Sequence, residues 1–323
     1  MDIRSGRLGK EEIHLQIDIG SVFQQMIVLF LIMGIGYVGG KTRVMTIDGN
    51  KTLSKMVNCI TNPCNILYSA LCAERSLSTG QVLSLIAIAA GMYLVLVLVA
   101  QIVPSLLRVP REQKGQYKFM MIFSNIGYMG IPVISAIYGP SAVFIVSVVI
   151  MVFYVVMYTY GIFLIREDKQ GGFRFKDLLT PMMVSSVVGI LSYLAGIRVP
   201  MVIGNTLDTV RKVTTPCAML IIGCALSTVP LKDVFGNWRL YIVSALKLVA
   251  MPLLGYVLLK PVVSDPVILG VFVAVMGMPI ASNFTMLSAQ YDKDQRLAAA
   301  AVFITTLLSV VSIPILMGIL FAG

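Results

Sequence analysis

Two long apolar segments contain hydrogen-bonding side chains beside prolines and glycines, and these side chains are the strongest candidates for chemistry. They are Ser124, Asn125, Gly127, Tyr128, Gly130 and Pro132 in the first segment and Pro279, Ser282, Asn283 and Thr285 in the second. Proline removes an amide donor and glycine loosens the backbone, so each segment is predicted to contain a broken helix. Hydroxyl and amide groups at such breaks bind ligands through hydrogen bonds, and the pattern therefore indicates a binding site.

The sequence gives little support to enzyme chemistry. Its single histidine, His14, is not beside any candidate nucleophile. No cluster of metal-ligand residues and no pair of carboxylates occurs within an apolar segment. We therefore predict a protein that is not an enzyme and holds no metal or cofactor.

Composition places both segments in a membrane. The 323-residue chain is 58% hydrophobic and 12% charged, with a mean hydropathy of +0.90, which is far from the balance of a soluble domain. Residues Phe119–Ile165 contain no Asp, Glu, Lys or Arg, so the first break should lie at membrane depth. In hydrocarbon a broken helix persists only where protein or a watery cavity satisfies the freed backbone groups. The sequence predicts an all-α polytopic protein embedded in the lipid bilayer.

We divide the apolar sequence into ten spans. Their approximate limits are Ile19–Gly40, Lys51–Ala73, Gln81–Leu107, two spans within Phe119–Ile165 separated at Tyr138-Gly139-Pro140, Leu178–Ile197, Leu207–Val229, Trp238–Lys260, Pro266–Tyr291 and Leu297–Phe321. Thr61–Cys64 and Ser135–Tyr138 recur, at one common offset, as Thr214–Cys217 and Ser288–Tyr291. This predicts a tail (residues 1–18), a first repeat of five spans (19–165), a cytoplasmic loop (166–177) and a second repeat (178–323). Five is an odd number, so the second repeat is inserted the opposite way round.

Charge sets the orientation. The net charge is +10, and the basic residues occupy short loops between spans, which is the pattern of membrane topology and not of a nucleic-acid-binding surface. The side that includes Arg166–Lys176 carries about twice as many Lys and Arg residues as the other and is predicted to be cytoplasmic. Both termini of this multi-pass cell-membrane protein are then extracytoplasmic. Its cysteines, all in apolar spans, are predicted to be small buried hydrophobic residues: Cys59, Cys64, Cys72, Cys217 and Cys224.

The two breaks occupy matching places in the two repeats. In such folds the amino-terminal ends of half-helices point at a site in mid-membrane, where their amide groups and partial positive charge suit a carboxylate. Asn62 and Thr215, which lie beside the prolines of spans two and seven, are expected to face the same cavity. The alternative is that the prolines only kink packed helices, with Ser and Asn as contacts between helices.

Lys247 is the one basic residue well inside a span. A buried ammonium group is costly in a membrane, so it needs a partner, a water path or a function. It would serve as a charge partner for an anion, or replace a coupling cation. The interpretation that we favour is that it snorkels to the interface marked by Trp238 and Arg239.

At family level, the chain resembles the auxin efflux carriers, which comprise plant carriers and bacterial permeases annotated for malate, malonate and related acids. The residues that carry the resemblance are Ser124–Pro132 with Tyr138-Gly139, Pro279–Asn283, Ala289–Tyr291, Thr305–Ser309, and Gly34 and Tyr37. The resemblance implies ten helices in two inverted repeats, related to bile-acid sodium symporters, with crossing broken helices four and nine. It also implies an organic anion as substrate, contacted by Asn125. The long loop of many plant members is absent, so a small-acid permease fits better than an auxin carrier.

The preferred function is a secondary carrier for a small organic anion such as malate, malonate or an auxin-like acid. A bile-acid-type symporter coupled to an ion, a channel, and a membrane sensor without net transport are the alternatives. The sequence shows no ring of like charges for a channel and no attached signalling domain for a sensor. Coupling to H⁺ or Na⁺ stays open, and a homodimer is adopted by analogy with related carriers.

Overall fold

The computed structural model describes residues 19–72, 77–166, 179–228 and 236–321. The predicted tail and nearly all of the predicted cytoplasmic loop lie outside these ranges. Within them the protein is helical, without β-strands. The helices are α1 (Ile19–Lys41), α2 (Ile47–Met56), α3 (Asn62–Leu71), α4 (Thr79–Leu106), α5 (Lys114–Ile122), α6 (Ile126–Tyr138), α7 (Ala142–Ile165), α8 (Pro181–Ala195), α9 (Met201–Ser227), α10 (Trp238–Leu259), α11 (Pro266–Met276), α12 (Asn283–Gln290) and α13 (Gln295–Phe321).

Five of these helices, α4, α7, α9, α10 and α13, are long and apolar enough to cross a membrane. Shorter apolar helices include most of α1, together with α6, α8 and α11. A helix needs about 20 residues to cross the hydrocarbon core, so each shorter helix can complete a span only together with an adjoining segment. The prediction of an all-α polytopic membrane protein is confirmed.

Polar residues fix several helix starts. The Ser78 hydroxyl accepts from the amide of Gln81, whose side chain in turn accepts from the Ser78 amide, so α4 begins with a capping box. The Asp265 carboxylate accepts from the first amides of α11. These caps satisfy amide groups in the first turns of α4 and α11 that have no partner within the helix.

Three prolines inside helices each follow a π turn. Val57–Thr61 precedes Pro63, Ile126–Gly130 precedes Pro132, and Leu246–Ala250 precedes Pro252. A proline ring crowds the carbonyl four residues earlier and cannot donate to it, and the wider π turn accommodates this mismatch. The helix continues through this turn at Pro132 and Pro252, and at Pro63 the turn joins α2 directly to α3.

The helices pack in two groups. In the first, α1 lies along α9, while α3 packs against α8 and α9. A Cβ on Gly36 would overlap the carbonyl oxygen of Leu220, and one on Gly223 would overlap that of Met33, so these glycines permit the close approach of α1 and α9.

The second group contains the broken helices. Here α4 contacts α5 and α7, α10 contacts α11, and α12 contacts α13. The rings of Phe119 on α5 and Phe284 on α12 stack with centroids 5.0 Å apart, which joins one half of each broken helix. The groups meet where α7 packs against α3 and α8, and where α1 packs against α6 and α13.

Two expectations need correction. The seventh span begins at Met201, and its expected break at Pro216 is only a turn at Val213, because Pro216 lies in the first turn of the resumed helix, where no amide donor is required. Of the cysteines, only Cys224 is buried, whereas Cys59 and Cys72 are exposed. Lipid is as apolar as a protein core, so small hydrophobic residues of a membrane protein need not face inward.

Candidate functional site

The two predicted interruptions are present, and they contact each other. Ser124 and Ile280 form an isolated antiparallel bridge. The Asn125 amide donates to the Pro279 carbonyl oxygen at 2.8 Å, and the Ala281 amide donates to the Phe123 carbonyl oxygen at 3.0 Å. Each break therefore satisfies backbone groups that the other leaves open, as a broken helix in an apolar environment requires.

Asn125 is the central side chain of the first break. Its Oδ1 accepts from the Tyr128 amide at 3.4 Å and so caps the π turn that opens α6. Its Nδ2 is buried and has no hydrogen-bond partner among the described residues. Because an unpartnered buried donor is costly, this amide group is a candidate for ligand binding.

A small cavity lies beside the Asn125 side chain. Its lining residues come from both breaks and from neighbouring helices: Asn58, Ser124, Asn125, Ile126, Gly127, Tyr128, Phe153, Tyr154, Met182, Ala281, Ser282 and Asn283. The cavity volume is about 20 Å³. That is room for about one water-sized group. The lining is rich in hydroxyl and amide groups and contains no carboxylate, so it is suited to an anion.

Side chains from α3 and the turn before it hold the first break. Asn62 is fully buried, and its Nδ2 donates to the Gly127 carbonyl oxygen at 3.2 Å. Asn58 donates to the Tyr128 hydroxyl at 2.6 Å, and that hydroxyl donates to the Ser54 carbonyl oxygen at 3.4 Å. Sequence reasoning identified Asn62 but missed Asn58, although the spacing of four residues places both on one helix face.

The second break is held differently. The Ile280 amide donates to the Thr305 hydroxyl of α13 at 3.2 Å. Ser282 and Asn283 are half-buried, and Asn283 Nδ2 lies 4.0 Å from the Met157 sulfur. The Thr285 hydroxyl donates to the Ser282 carbonyl oxygen of its own helix. Thr305 belongs to the carboxy-terminal signature, but its contact with the break was not predicted.

The remaining predicted residues do not line the cavity. Gly130 and Pro132 are buried in α6, where the Gly130 amide donates to the Asn125 carbonyl oxygen at 2.9 Å, and Pro279 is buried at the second break. Thr215 is half-buried, whereas the adjacent Thr214 is fully buried and its hydroxyl has no partner among the described residues.

The snorkelling interpretation of Lys247 is wrong. Its side chain is fully buried, and Nζ donates to the Met121 carbonyl oxygen at 2.9 Å. Contacts of α10 with α5 and α13 cover this face of the helix, so the ammonium group turns toward α5 instead of the interface. It does not line the cavity.

No group of three His, Cys, Asp or Glu residues that could hold a metal occurs in the part of the chain that the structure describes. The polar atoms at the breaks are amide, hydroxyl and carbonyl groups. The arrangement is suited to binding through hydrogen bonds.

Comparison with known proteins shows which family and which individual proteins the chain is similar to. A family model described as membrane transport protein matches residues 21–174 and 171–317. A Rhizobium meliloti (strain 1021) protein named "Putative malonate transporter" is 31% identical over 144 residues, which cover 44% of this chain and 44% of that protein. An uncharacterized transporter of Methanocaldococcus jannaschii is 23% identical over 306 residues, covering 89% of this chain and 95% of that protein.

Proposed function

The chain belongs to the membrane transport protein family, the auxin efflux carrier family that its signatures resemble, and on that premise we propose that it is a secondary carrier for a small organic anion. The observation that carries the proposal is the buried Asn125 amide group. Its Nδ2 has no partner in the part of the chain that the structure describes, and it borders a cavity formed by two hydrogen-bonded breaks. A carboxylate would accept from this group and from nearby hydroxyls and amides. In this proposal the protein moves its substrate without changing it chemically.

The proposed binding residues are those that sequence and structure bring to the breaks. Asn125 donates to the carboxylate, with Ser124, Ser282 and Asn283 as further polar contacts and Tyr128 closing one wall. Gly127, Gly130, Pro132 and Pro279 shape the backbone, while Asn62 supports the first break. Thr285 and Thr215 complete the predicted set, although neither lines the cavity in this conformation.

The cavity also supports a transport cycle with alternating access. A volume of about 20 Å³ is too small for a three-carbon diacid, so the observed conformation must widen before binding. Asn58 and Met182 contribute walls from the first helix group, and the breaks contribute walls from the second. A relative movement of the groups would therefore enlarge the site and open it to one side at a time.

The architecture proposed for this cycle has ten spans in two inverted repeats, residues 19–165 and 178–323, joined by a cytoplasmic loop, with residues 1–18 as a tail. The described helices can be assigned to ten such spans if α2 with α3, α5 with α6, and α11 with α12 each form one. Both termini are proposed to be extracytoplasmic, in the cell membrane, and the carrier to be a homodimer. Coupling to a proton or sodium gradient is part of the proposal.

The substrate class that we propose is a small dicarboxylate of the malonate or malate type. The name of the Rhizobium meliloti relative supports this choice, and the absence of a long loop separates the chain from many plant members. An auxin-like acid is the competing substrate within the same class.

The test is uptake of labelled malonate, malate and an indole acid by proteoliposomes, with and without proton and sodium gradients. We expect saturable transport of a dicarboxylate, a large reduction of that transport in Asn125→Ala and a smaller reduction in Asn283→Ala. Asn205→Ala, at an exposed position of α9, is the matched control and should transport as the wild type does. Transport of none of a broad panel of acids would reject the carrier and favour a sensor. Full activity in both Asn125→Ala and Asn283→Ala would reject the site.

A further inference from the structure

We propose that Lys247, acting through α5, sets the preference of the binding site for anions. The inference rests on the proposed function and adds a residue that does not line the cavity. The inference is based on the position of the Lys247 ammonium group. It lies at the carboxy-terminal end of α5, the half-helix that leads into the first break.

The carbonyl group that Lys247 binds is one that the break leaves without a helical partner. In an uninterrupted helix the Asn125 amide would donate to the Met121 carbonyl oxygen. Here the Asn125 amide donates to Pro279 instead, at 2.8 Å, and Lys247 Nζ donates to Met121 at 2.9 Å. The lysine therefore takes the position of a donor that the pairing of the two breaks has removed.

That position matters for an anion because of the helix dipole. The carboxy-terminal end of a helix carries about half a negative charge, and the amino-terminal end carries about half a positive charge. The α5 helix ends at Ile122, and Ser124 and Asn125 line the cavity directly after it. A carboxylate bound there would be repelled by the end of α5 while it is attracted by the start of α6. A protonated Lys247 offsets the repulsive end.

The charges around Lys247 support this role. The turn that carries it packs against α5 and α13. Neither of these helices, nor α10 itself, contains an Asp or Glu residue. No carboxylate on these helices therefore competes with a bound anion for the Lys247 ammonium group.

The end of α11 at the second break differs from the end of α5 at the first. At the end of α11 the Gly277 amide donates to the Val273 carbonyl oxygen at 3.1 Å, and the Met278 amide donates to the Val275 carbonyl oxygen at 3.3 Å. The chain thus satisfies these carbonyl groups by its own turn. At the first break the chain becomes extended at Phe123, and a side chain from another helix supplies the donor.

The experiment compares two ligands of similar size and different charge. Malonate carries two negative charges, and its monoamide, malonamate, carries one. Both compete against the labelled acid that the wild type carries. In Lys247→Gln, which keeps a donor for Met121 and removes the charge, we expect the affinity for malonate to fall about tenfold and that for malonamate about threefold, since an electrostatic term scales with ligand charge.

Lys247→Met is the second variant, because it keeps an unbranched side chain of similar size and removes both donor and charge. Lys260→Gln, an exposed position at the end of the same helix, is the control and should leave both affinities unchanged. Equal weakening of the two ligands would show a packing role and overturn the inference, as would unchanged affinities. If the wild type transports no acid, the proposed function fails and this inference fails with it. If the wild type transports and the ratio of affinities stays constant, only this inference fails.

Discussion

The two breaks are alike in backbone pairing but differ in how side chains support them. The first break is capped by its own Asn125 and held by Asn58 and Asn62. The second has no side-chain cap from Ser282, and Asn283 is half-buried, with its amide nitrogen 4.0 Å from the thioether sulfur of Met157. The support of the second break instead comes from Thr305 of another helix.

This difference predicts different roles in binding for the two breaks. A side chain that is fixed by buried hydrogen bonds presents its remaining donor in a constant direction, which lowers the ordering cost of binding. A half-buried side chain with weak contacts can follow a ligand as the cavity widens. We therefore expect the first break to provide most of the binding energy and the second to adapt to the bound anion.

The largest effect is expected from reversing the polarity of the first break. Asn125→Asp replaces the buried Nδ2 donor by a carboxylate oxygen, which repels an anion and accepts where a donor is needed. We expect transport efficiency, measured as kcat/KM in proteoliposomes, to fall at least about 100-fold. The same change in the second break, Asn283→Asp, should cost about tenfold, because the side chain is half-buried and better solvated. Equal losses in the two variants would contradict the proposed difference in role between the two breaks.

A smaller effect is expected from removing the support of each break. Asn62→Ala leaves the Gly127 carbonyl oxygen without this donor, and Thr305→Val leaves the Ile280 amide without its acceptor. Each loss should destabilise the protein by about 1–3 kcal/mol, because a buried group is left unsatisfied. Thermal unfolding in detergent measures this cost. Affinity for the anion should fall in Asn62→Ala more than in Thr305→Val, and the reverse order would count against the first break as the rigid anchor.

The Tyr128 hydroxyl is expected to contribute less. Tyr128→Phe removes a group that accepts from Asn58 and donates to the Ser54 carbonyl oxygen. We expect a loss of about 1 kcal/mol in stability and a threefold to fivefold fall in affinity, roughly the value of one neutral hydrogen bond. A double-mutant cycle with Asn58→Ala isolates the pair, and purely additive effects would show that the contact does not stabilise the break.

The smallest effect is expected at Thr285. Its hydroxyl donates to a carbonyl oxygen of its own helix and lies outside the cavity lining. Thr285→Ala should therefore change stability and affinity by no more than about 0.5 kcal/mol. A tenfold loss of transport would place Thr285 at the binding surface and would mean that the second break rearranges far more than the observed conformation indicates.

Local chemistry made a break in each segment predictable, since proline and glycine alter the backbone. The first break nevertheless lies at Phe123–Asn125, before Pro132, because the helix accommodates that proline with a π turn. The apolar composition predicted the class of protein, and the neighbouring Ser and Asn residues indicated the site. The contacts of Ser54 and Thr305 were not predictable, because they depend on which face of a distant helix turns toward the break. Asn58 could have been found, since its spacing places it on one helix face with the predicted Asn62.

Side-chain burial was decided by the tertiary structure. On α4, Leu94 is 61% exposed and Leu96 is 2% exposed, although both are leucines of one apolar helix. Lipid and protein core are equally apolar, so such a sequence carries little information about which face turns inward. The sequence showed that Lys247 lies within a span, but it could not show which way the side chain turns. The packing of α10 against α5 showed that its ammonium group is buried beside Met121.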